Sequence, residues 1–566
     1  MSALTRLITA AARTRPDAPA VDDGERPWAW ERLDAETHAF AAALLRAGFT
    51  DGPLLLAAAP GPAWVTALLG AWRSGAVAVP LDAGHPPARL ARIAAGCRAR
   101  AAVTADGTTP HWAPALPTIA AGARAAGNLP EVPDDATACL FHTSGSTGTP
   151  KPVVLSHRAL AERTREMPAA AGLTVTDRIA QFTSPAFDAV LWEVLCALAT
   201  GATLVTAPTP ARTPGPALTR WLAEQRITAL TCTPSQLAAT PAPDAGLPDL
   251  RLLVLGGEAL HLRPLTAWFT PGRRIANAYG PTEAGIEAFL APDIGPHNDP
   301  VPIGWPLPGV VPLVLDHDDQ PVPDGEAGEL HLAGTGLADG YLHRPEATAA
   351  AFPTVTDPAT GRPVRAYRTG DRVRRLPDGQ YTFLGRTDRQ LNLHGVRLEP
   401  GEIEARSVDH PEVRTAAAVL DPDRQQITLH AETTTGLTPA ALRRHLADHL
   451  PPAAVPARIT CRPALPRTAG GKIDRRALAA EPTDPNPPPG PPGTVLPEPL
   501  ATWWHTATGT PASAGGDFYI AGGDSLGALA LLARLNEHYD TDLTIGAFTA
   551  DPTAEHLLRT IERRSR

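Results

Sequence analysis

The 566-residue chain is too long for one hydrophobic core, and its 43% apolar residues predict about two to four packed domains. Its 50 Lys and Arg residues against 59 Asp and Glu give a net charge of -9, without the basic stripe that neutralises phosphates, so nucleic acid is excluded as an expected partner. No apolar run approaches about 20 residues and the N-terminus lacks the apolar segment of a signal peptide, so we expect a soluble, cytoplasmic protein that does not enter a membrane.

Strand-like and helical segments alternate through residues 1–387. The amphipathic run ERLDAETHAFAAALLRAG at 31–48 has the apolar spacing of a helix, and LRLLVLGG at 250–257 is typical of a buried strand. This alternation predicts a multidomain α/β protein whose first domain is a large core of layered sheets and helices.

The pattern changes after residue 387. Residues 388–480 combine short strands with the helix PAALRRHLADHL, which predicts a small α+β domain. Residues 481–496 are dense in proline and predict a stiff, extended linker. Residues 497–566 have helical periodicity in SLGALALLARLNEHY and PTAEHLLRTIERR, which predicts a small helical bundle.

Lysine is nearly absent from the chain. Only Lys151 and Lys472 are lysines, and each stands in a glycine-bearing loop. A lysine ammonium is a compact point charge, whereas guanidinium is a wide planar fork, so a tight site around an oxygen anion can require lysine. Chance survival of two lysines is the alternative, and their loops make it the weaker one.

The segment FHTSGSTGTPKPV at 141–153 has the composition of a phosphate-binding loop. Glycines let backbone amides turn toward an anion, hydroxyls donate hydrogen bonds, and a lysine adds charge. The residues concerned are Thr143, Ser144, Gly145, Ser146, Thr147, Gly148 and Lys151. The lysine spacing differs from that of a P-loop, and a flexible polar surface turn is the alternative interpretation.

This segment resembles the phosphate loop of the adenylate-forming superfamily, which includes nonribosomal peptide synthetase adenylation domains, acyl-CoA ligases and luciferases. Further similar motifs follow in the family's order along nearly the whole chain. They are AWRSGAVAVPLD at 71–82, NAYGPTE at 277–283, GELHLAGTGLADGYLHRPEAT at 328–348, YRTGD at 367–371, GRTDRQLNLHGVRLEPGEIE at 385–404 and PRTAGGKIDRRAL at 466–478.

The resemblance implies roles in binding ATP and Mg²⁺. Tyr279 would stack on adenine, Glu283 would help to hold Mg²⁺, Thr147 would contact phosphate, and Asp371 with Arg386 would bind the ribose. Oxygen ligands suit a hard cation, and a carboxylate accepts hydrogen bonds from vicinal hydroxyls. The same motifs add Asn277, Gly280 and Thr282 to the nucleotide site.

Residues 388–480 then correspond to the family's mobile lid, hinged near Asp388. Lys472 matches the lysine that bridges the substrate carboxylate and the phosphate during adenylation, where a fixed cation favours the transition state. The chain departs from the family at Asn392 and His394, where basic residues are common. We expect adenylation to survive this change, and the contacts of the rotated lid during thioester formation are in question.

The sequence GGDFYIAGGDSLGALALLARL at 515–535 resembles a peptidyl carrier protein. Ser525 stands where the family attaches 4'-phosphopantetheine, although a serine at a helix start is commonly only an N-cap. The modified arm would bring a thiol to the adenylate and release AMP. A phosphopantetheinyl transferase is the implied partner.

Asp188, in PAFDAVLWE, matches the residue that pairs with the α-ammonium in amino-acid-activating members. The remaining pocket positions by motif are Ala189, Trp192, Thr231, Val254, Gly256, Ala278, Ile286 and Glu287, with Lys472 completing the set. A buried carboxylate at Glu287 would need a donor or cation, which favours a long polar or cationic side chain such as glutamine, arginine or lysine. Alternatively, Glu287 points to solvent and Trp192 defines an aromatic pocket.

The combined expectation is an adenylation domain fused to a peptidyl carrier, acting as a free-standing loading unit. It would pass a tethered amino acid to tailoring or condensation enzymes and could need an MbtH-like protein. Two rivals are a CoA ligase, which would have no use for Ser525, and a catalytically silent carrier charged by another synthetase.

Overall fold

The structure is a computed structural model. It describes residues 2–49, 51–145, 150–243, 246–388, 390–393, 396–421, 426–434, 436–468, 473–481, 496–512, 516–519, 521–523 and 525–564. Of residues 210, 392, 393, 421, 525, 526 and 564 it describes the backbone alone. In these ranges no helix combines the length and apolar character that a membrane crossing requires.

The helices of the described residues, in chain order, are α1 Ala3–Thr14, α2 Trp30–Arg46, α3 Pro62–Ser74, α4 Pro87–Gly96, α5 His157–Ala171, α6 Ala189–Thr200, α7 Pro216–Glu224, α8 Pro234–Ala238, α9 Pro345–Ala351, α10 Pro400–Val408, α11 Pro439–Ala447, α12 Arg475–Ala480, α13 Leu500–Thr508, α14 Ser525–Tyr539, α15 Ile545–Ala550 and α16 Ala554–Arg564.

The strands are β1 Pro19–Asp22, β2 Trp28–Ala29, β3 Pro53–Leu56, β4 Val77–Pro80, β5 Ala101–Thr104, β6 Thr118–Ala120, β7 Thr137–Thr143, β8 Lys151–Ser156, β9 Arg178–Gln181, β10 Thr203–Thr206, β11 Ala229–Cys232, β12 Leu252–Gly256, β13 Arg274–Tyr279, β14 Phe289–Ala291, β15 Pro302–Pro306, β16 Val310–Leu315, β17 Ala327–Gly334, β18 Gly340–Tyr341, β19 Thr354–Thr356, β20 Pro363–Arg375, β21 Tyr381–Arg386, β22 Leu391–Leu393, β23 Val396–Leu398, β24 Val413–Asp421, β25 Gln426–Thr433 and β26 Arg458–Arg462.

Two large sheets carry the part of the chain before residue 388. The larger sheet has strands β1 and β9 to β13 in parallel, followed by antiparallel strands from β14 onward. The second sheet runs in the order β18-β8-β7-β4-β3-β5-β6. Ligands of such open α/β sheets bind beyond the carboxyl ends of the parallel strands, and the predicted pocket residues at the ends of β11 to β13 lie at this edge.

Helix α2 shows how the sequence sets these elements. Its buried side chains include Trp30, Leu33, Phe40 and Leu44, which share one face at the spacing predicted from the sequence. It ends near Gly48, which has φ 84 and so adopts the left-handed conformation that glycine allows. The multidomain α/β class is confirmed.

The lid region, residues 388–480, contains the hairpin β22–β23 and a three-stranded sheet of β24, β25 and β26. Helices α10 and α11 pack on that sheet around their own apolar cluster. The carrier region, residues 497–564, holds α13 to α16 around a separate cluster that includes Trp504 and Phe518. The helical C-terminal region is thus confirmed, while the three boundaries after residues 387, 480 and 496 stay predictions.

Candidate functional site

The two ends of the predicted phosphate loop are held together by the β7–β8 pair. Thr143 ends β7 and lies opposite Lys151, which begins β8. The hydroxyl of Thr143 is buried and has no hydrogen-bond partner among the described residues, which leaves it available to a ligand. Gly145 is buried as well. Ser146, Thr147 and Gly148 lie outside the described residues.

Glu283 is the centre of charge in the site. Its side chain is fully buried, and Oε1 accepts a hydrogen bond of 2.7 Å from the Tyr341 hydroxyl. Oε2 accepts one of 2.9 Å from Nη1 of Arg397. Burial opposes ionisation, but Arg397, Tyr341 and Lys151 lower the pKa of Glu283. The carboxylate is therefore held ionised in the interior.

Lys151 faces the same centre. Its ammonium lies 5.1 Å from the centroid of the Tyr341 ring, within reach of a cation–π contact. Burial lowers the pKa of Lys151, and the Glu283 carboxylate acts in the opposite direction. The lysine thus places a partly desolvated cation where the loop would receive an anion.

A lid residue reaches into this centre from β23. Nη2 of Arg397 donates to the Tyr367 hydroxyl at 3.0 Å, and Nε donates to Oε1 of Gln390 at 2.6 Å. The Ser144 hydroxyl of the phosphate loop donates to the Arg397 carbonyl at 2.7 Å. In this structure the lid hairpin therefore lies directly on the predicted nucleotide site.

A second polar group joins Tyr279, Asp371 and Arg386. The Tyr279 hydroxyl donates to Oδ2 of Asp371 at 2.6 Å, and the Arg386 guanidinium pairs with Oδ1. Arg386 also makes two hydrogen bonds of 2.8 Å with Asp388, the predicted hinge residue. A Cβ at Gly370 would lie 2.6 Å from Arg386, so only glycine lets this arginine pass.

Asn277 and Gly280 serve the local fold. The buried Asn277 amide donates to the Pro302 carbonyl at 2.7 Å. A Cβ at Gly280 would lie 2.3 Å from the Ile286 carbonyl, so this glycine permits the close approach of residues 286–288. Both residues hold in place the strand end that carries Tyr279.

Asp188 lies just before the first residue of α6, and one oxygen of its carboxylate is free to accept a hydrogen bond. It makes no capping hydrogen bond to the helix, and Oδ2 is buried without a partner among the described residues. Burial raises the pKa of Asp188 to about 6, and the nearby Glu283 acts in the same direction, while the Thr282 side chain opposes this rise. The free oxygen can accept a hydrogen bond from a cationic group.

The predicted pocket walls come together in one apolar cluster. Trp192, Val254 and Ile286 belong to this cluster, and Ala278 packs against it. Thr231 lies opposite Val254 in the β11–β12 register, and its hydroxyl donates to the Val254 carbonyl at 3.2 Å.

Two of the predicted pocket positions carry little or no side chain. A Cβ at Gly256 would lie 2.8 Å from the Ala278 carbonyl, so no larger residue fits there. Ala189, which begins α6 after Asp188, adds only a methyl group to this wall.

Glu287 is buried, with 2% of its surface exposed, so the alternative in which it points to solvent is wrong. Its Oε2 accepts a hydrogen bond of 2.9 Å from Nε1 of Trp192, and Oε1 has no partner among the described residues. Burial raises the pKa of Glu287 to about 8, against the effects of Trp192 and Arg163. The preceding Ile286 has φ 80, a strained conformation of the kind found at functional sites.

The carrier region contacts both other parts of the chain. Ser525 is the first residue of α14, as the motif predicts. Nε2 of Gln426 in the lid donates to the Gly523 carbonyl at 2.9 Å, and Arg220 of the core pairs with Glu537 of α14 at 3.0 Å.

A buried arginine strengthens the contact between the lid and the carrier region. Arg443 of α11 lies 3.2 Å from Asp517, and its guanidinium carbon lies 5.5 Å from the centroid of the Tyr519 ring.

Sequence reasoning missed two arginines. Arg397 stands inside the motif at 385–404, which was interpreted through the basic residues lost at Asn392 and His394. His394 lies outside the described residues. The arginine that remained in that motif was the available signal. Arg163 of α5 is buried, its Nε and Nη1 have no hydrogen-bond partner among the described residues, and no motif indicates it. Lys472 also lies outside the described residues.

The donor set fits the implied cofactors. Glu283 offers the hard carboxylate oxygens that Mg²⁺ takes together with phosphate oxygens and water, provided that Arg397 moves away. At the carrier site, a Cβ at Gly523 would lie 2.2 Å from the Phe518 ring, so glycine fits best at that position. Ser525, two residues later in the sequence, is the first residue of α14.

Family models match three parts of the chain. The "AMP-binding enzyme" model matches residues 8–342, the "AMP-binding enzyme C-terminal domain" residues 402–472, and the "Phosphopantetheine attachment site" residues 499–561. These matches cover the core, the lid and the carrier region in order.

Curated relatives span the same three parts. Phosphinothricin tripeptide synthetase PhsC of Streptomyces viridochromogenes is 35% identical over 98% of this chain and 52% of its own. Isonitrile lipopeptide synthase of Mycobacterium tuberculosis is 33% identical over 100% of this chain and 23% of its own. The chain thus spans about half or less of these two relatives. Novobiocin biosynthesis protein H of Streptomyces niveus is 37% identical over 84% of this chain and 82% of its own.

A solved structure of similar organisation also matches. Holo-PA1221, described as a nonribosomal peptide synthetase protein containing adenylation and PCP domains bound to a vinylsulfonamide inhibitor, is 26% identical with a TM-score of 0.78. The match covers 94% of this chain and 92% of that one.

Proposed function

Since the chain belongs to the AMP-binding enzyme family, as an adenylate-forming ligase of the nonribosomal peptide synthetase type with a carrier domain, we propose that it activates an amino acid as aminoacyl-AMP and loads it onto its own carrier. ATP, Mg²⁺ and 4'-phosphopantetheine are its cofactors. The choice of an amino acid and the loading in cis are the proposed steps.

The observation that carries the proposal is the free carboxylate oxygen of Asp188. A buried acceptor without a partner is unfavourable until a ligand supplies a donor. The α-ammonium of an amino acid supplies both donor and charge, while a fatty acid supplies neither.

The nucleotide would bind between the phosphate loop and the Tyr279–Asp371–Arg386 group. Thr143, Lys151 and the loop amides would receive the phosphates. Each oxygen of Asp371 already accepts one hydrogen bond and retains lone pairs for ribose hydroxyls. Tyr279 would then be anchored by its hydroxyl with its ring against the adenine.

In the first step a carboxylate oxygen of the amino acid attacks the α-phosphorus of ATP. The bond from that phosphorus to pyrophosphate breaks, giving aminoacyl-AMP and pyrophosphate. By resemblance, Lys472 would lie between the two anions and stabilise the charge that develops there. Mg²⁺ at Glu283 would screen the charge of the phosphates.

The position of the lid in this structure fits a stage of the reaction that follows adenylation. The Arg397 guanidinium donates to the Glu283 oxygen that a metal would use, and the Arg397 carbonyl accepts a hydrogen bond from the Ser144 hydroxyl. We therefore propose that the lid reaches this position after pyrophosphate leaves, by rotation at Asp388. The Arg386–Asp388 pair would fix the hinge at the end of β21.

In the second step the aminoacyl group moves to the carrier. When attached to Ser525, the 4'-phosphopantetheine arm supplies the thiol that accepts the acyl group, and AMP leaves. Gln426 and Arg443 would hold the carrier on the lid while this happens.

For the substrate side chain we propose a long polar or cationic group that reaches Glu287. The free Oε1 of this buried carboxyl group needs a donor, and the small residues Gly256 and Ala278 add little side-chain volume to the predicted pocket. An aromatic substrate beside Trp192 is the alternative.

The relatives named above are a tripeptide synthetase, a lipopeptide synthase and a novobiocin biosynthesis protein, so we propose a place in nonribosomal peptide or antibiotic biosynthesis in the cytoplasm. The carrier domain implies a phosphopantetheinyl transferase. Tailoring or condensation enzymes and an MbtH-like protein are further proposed partners.

The test is ATP–pyrophosphate exchange with all candidate amino acids, followed by intact mass of the phosphopantetheinylated chain. We expect exchange with one amino acid or a narrow set and a mass increase by that aminoacyl group. S525A should retain exchange and lose both mass shifts. K472A should lose exchange and keep the phosphopantetheine shift, and exchange equal to that of wild type would remove the catalytic assignment.

Two outcomes would contradict the proposal. A soluble CoA thioester formed by the S525A variant would indicate a CoA ligase. A phosphopantetheine shift with no exchange for any amino acid, despite added MbtH-like protein, would indicate a silent carrier.

A further inference from the structure

A second ion pair joins the core to the lid, besides the contact of Arg397 with Glu283. Nη1 of Arg89, in α4 of the core, lies 3.0 Å from Oε1 of Glu402, in α10 of the lid. The two residues are 313 positions apart in the sequence, and their side chains are only 8% and 4% exposed. The resemblance assigns no role to either residue. The pair is therefore a buried charge contact between two regions that the proposed reaction must move apart.

The core side of this contact is fixed by the packing of α4. Leu90 and Ile93 are buried in an apolar cluster that also contains side chains of β3, β4 and β5. Arg89 and Arg92 are one helical turn apart beside that apolar face. Nη2 of Arg92 donates to the carbonyl of His449, just after α11, at 2.6 Å. One helix of the core thus presents two arginines to two elements of the lid.

The lid side of the contact moves with α10. Glu402 lies in the first turn of this helix, where the helix dipole favours a carboxylate. Its neighbour Ile403 is buried in the apolar cluster that joins α10 to the sheet of the lid. Asp388, the proposed hinge, precedes α10 in the chain, so rotation there would carry Glu402 away from Arg89. The ion pair is therefore specific to the lid position in this structure.

A buried ion pair acts on position more than on net stability. Removing two charges from water is costly, and their attraction offsets this cost only when the two groups meet in good geometry. A lid that closed on the core in a shifted position would leave both charges buried and unpaired. A lid that left the core would return both charges to water. The pair therefore favours one closed position over others near it.

We propose that Arg89 and Glu402 are positioning residues for the transfer step, which hold the lid on the core while the carrier thiol attacks the aminoacyl-AMP. This inference rests on the proposed function and adds two residues outside the predicted nucleotide and substrate sites. In the transfer, the thiol sulfur bonds to the acyl carbon, the bond from that carbon to AMP breaks, and the thiol proton passes to solvent. Adenylate formation belongs to the other lid position and does not need the pair.

The test uses rapid-quench measurements of adenylate formation and Ser525 acylation on the phosphopantetheinylated chain, with the amino acid that supports pyrophosphate exchange. R89M and E402M each leave one charge alone when the lid closes. Each should slow acylation at least about 30-fold, with adenylate formation within about threefold of wild type. R89M/E402M leaves no lone charge and should acylate Ser525 faster than either single variant. R89K keeps the cation and should lie between R89M and wild type.

R165M is the matched control for loss of an arginine. Arg165 pairs with Glu162 inside α5 at 3.1 Å with 62% of its side chain exposed, so the variant should match wild type in both steps. If R89M or E402M does not fold, R89Q or E402Q replaces it, because each also removes the charge.

Amide hydrogen exchange without substrate gives a readout independent of activity. The amides of α4 and α10 should exchange faster in each single variant than in wild type or R89M/E402M, because a lone charge opposes closure of the lid. Acylation at the wild-type rate in both single variants, equal slowing of both steps, or a double variant slower than either single variant would overturn the inference. Absence of pyrophosphate exchange with every amino acid would contradict the proposed function instead, and hydrogen exchange would then decide the role of the pair.

Discussion

Replacing Arg397 with methionine should separate the two half-reactions. The change leaves the fully buried Glu283 carboxylate without its guanidinium partner, which is itself only a quarter exposed. Removing one partner of a buried ion pair costs about 3–5 kcal/mol, and the lower value suits the partly exposed arginine. Because this contact exists only when the lid hairpin lies on the site, a loss of about 3 kcal/mol predicts a roughly 100-fold slower transfer step.

Rapid-quench measurements on the phosphopantetheinylated chain would follow aminoacyl-AMP formation and carrier acylation separately. We expect R397M to form the adenylate within about threefold of the wild-type rate and to acylate Ser525 far more slowly. R375M is the control, since Arg375 pairs with Asp324 at 2.7 Å on the surface, where such pairs contribute little. Transfer by R397M at the wild-type rate, or equal slowing of both steps, would refute the reasoning.

Three further predictions concern the substrate and the carrier. D188N should lower kcat/KM for the amino acid at least about 30-fold in pyrophosphate exchange, because a buried charge pair is lost, while the thermal melt stays near that of wild type. Since the raised pKa of Asp188 is about 6 and the ammonium needs its ionised form, kcat/KM should fall as pH drops below that value, and D188N should lose this inflection. R443M should slow acylation of Ser525 without affecting exchange, because it removes the contacts with Asp517 and Tyr519. Unchanged acylation would show that this contact between the lid and the carrier is not needed for loading.

Local signals in the sequence predicted several secondary-structure elements, while the pocket positions came from the resemblance. The apolar spacing at 31–48 predicted α2, and the serine motif predicted the start of α14 at its first residue. The pocket positions from Thr231 to Ala278 came from the resemblance, and the structure places them on neighbouring parallel strands whose ends share one edge of the sheet.

Long-range side-chain contacts could not be predicted in the same way. The Arg397–Glu283 and Ser144–Arg397 contacts join residues 114 and 253 positions apart, and they depend on where the lid lies. Likewise, a buried Glu287 was one of two open interpretations, and the Trp192 hydrogen bond that it receives depends on packing between elements. Local sequence patterns do not specify which side chains from distant elements meet in the folded chain.

The carrier region has its own apolar cluster around Trp504 and Phe518, and besides the packing of α15 on α11 it meets its neighbours through polar and ionic contacts at Gln426, Arg443 and Arg220. A region with its own core can be replaced as a unit. A foreign carrier domain joined after the proline-rich segment would need groups complementary to these contact residues in order to bind the rest of the chain. Because salt screens ionic contacts, higher ionic strength would shorten the time that a native or grafted carrier remains bound to the lid and the core.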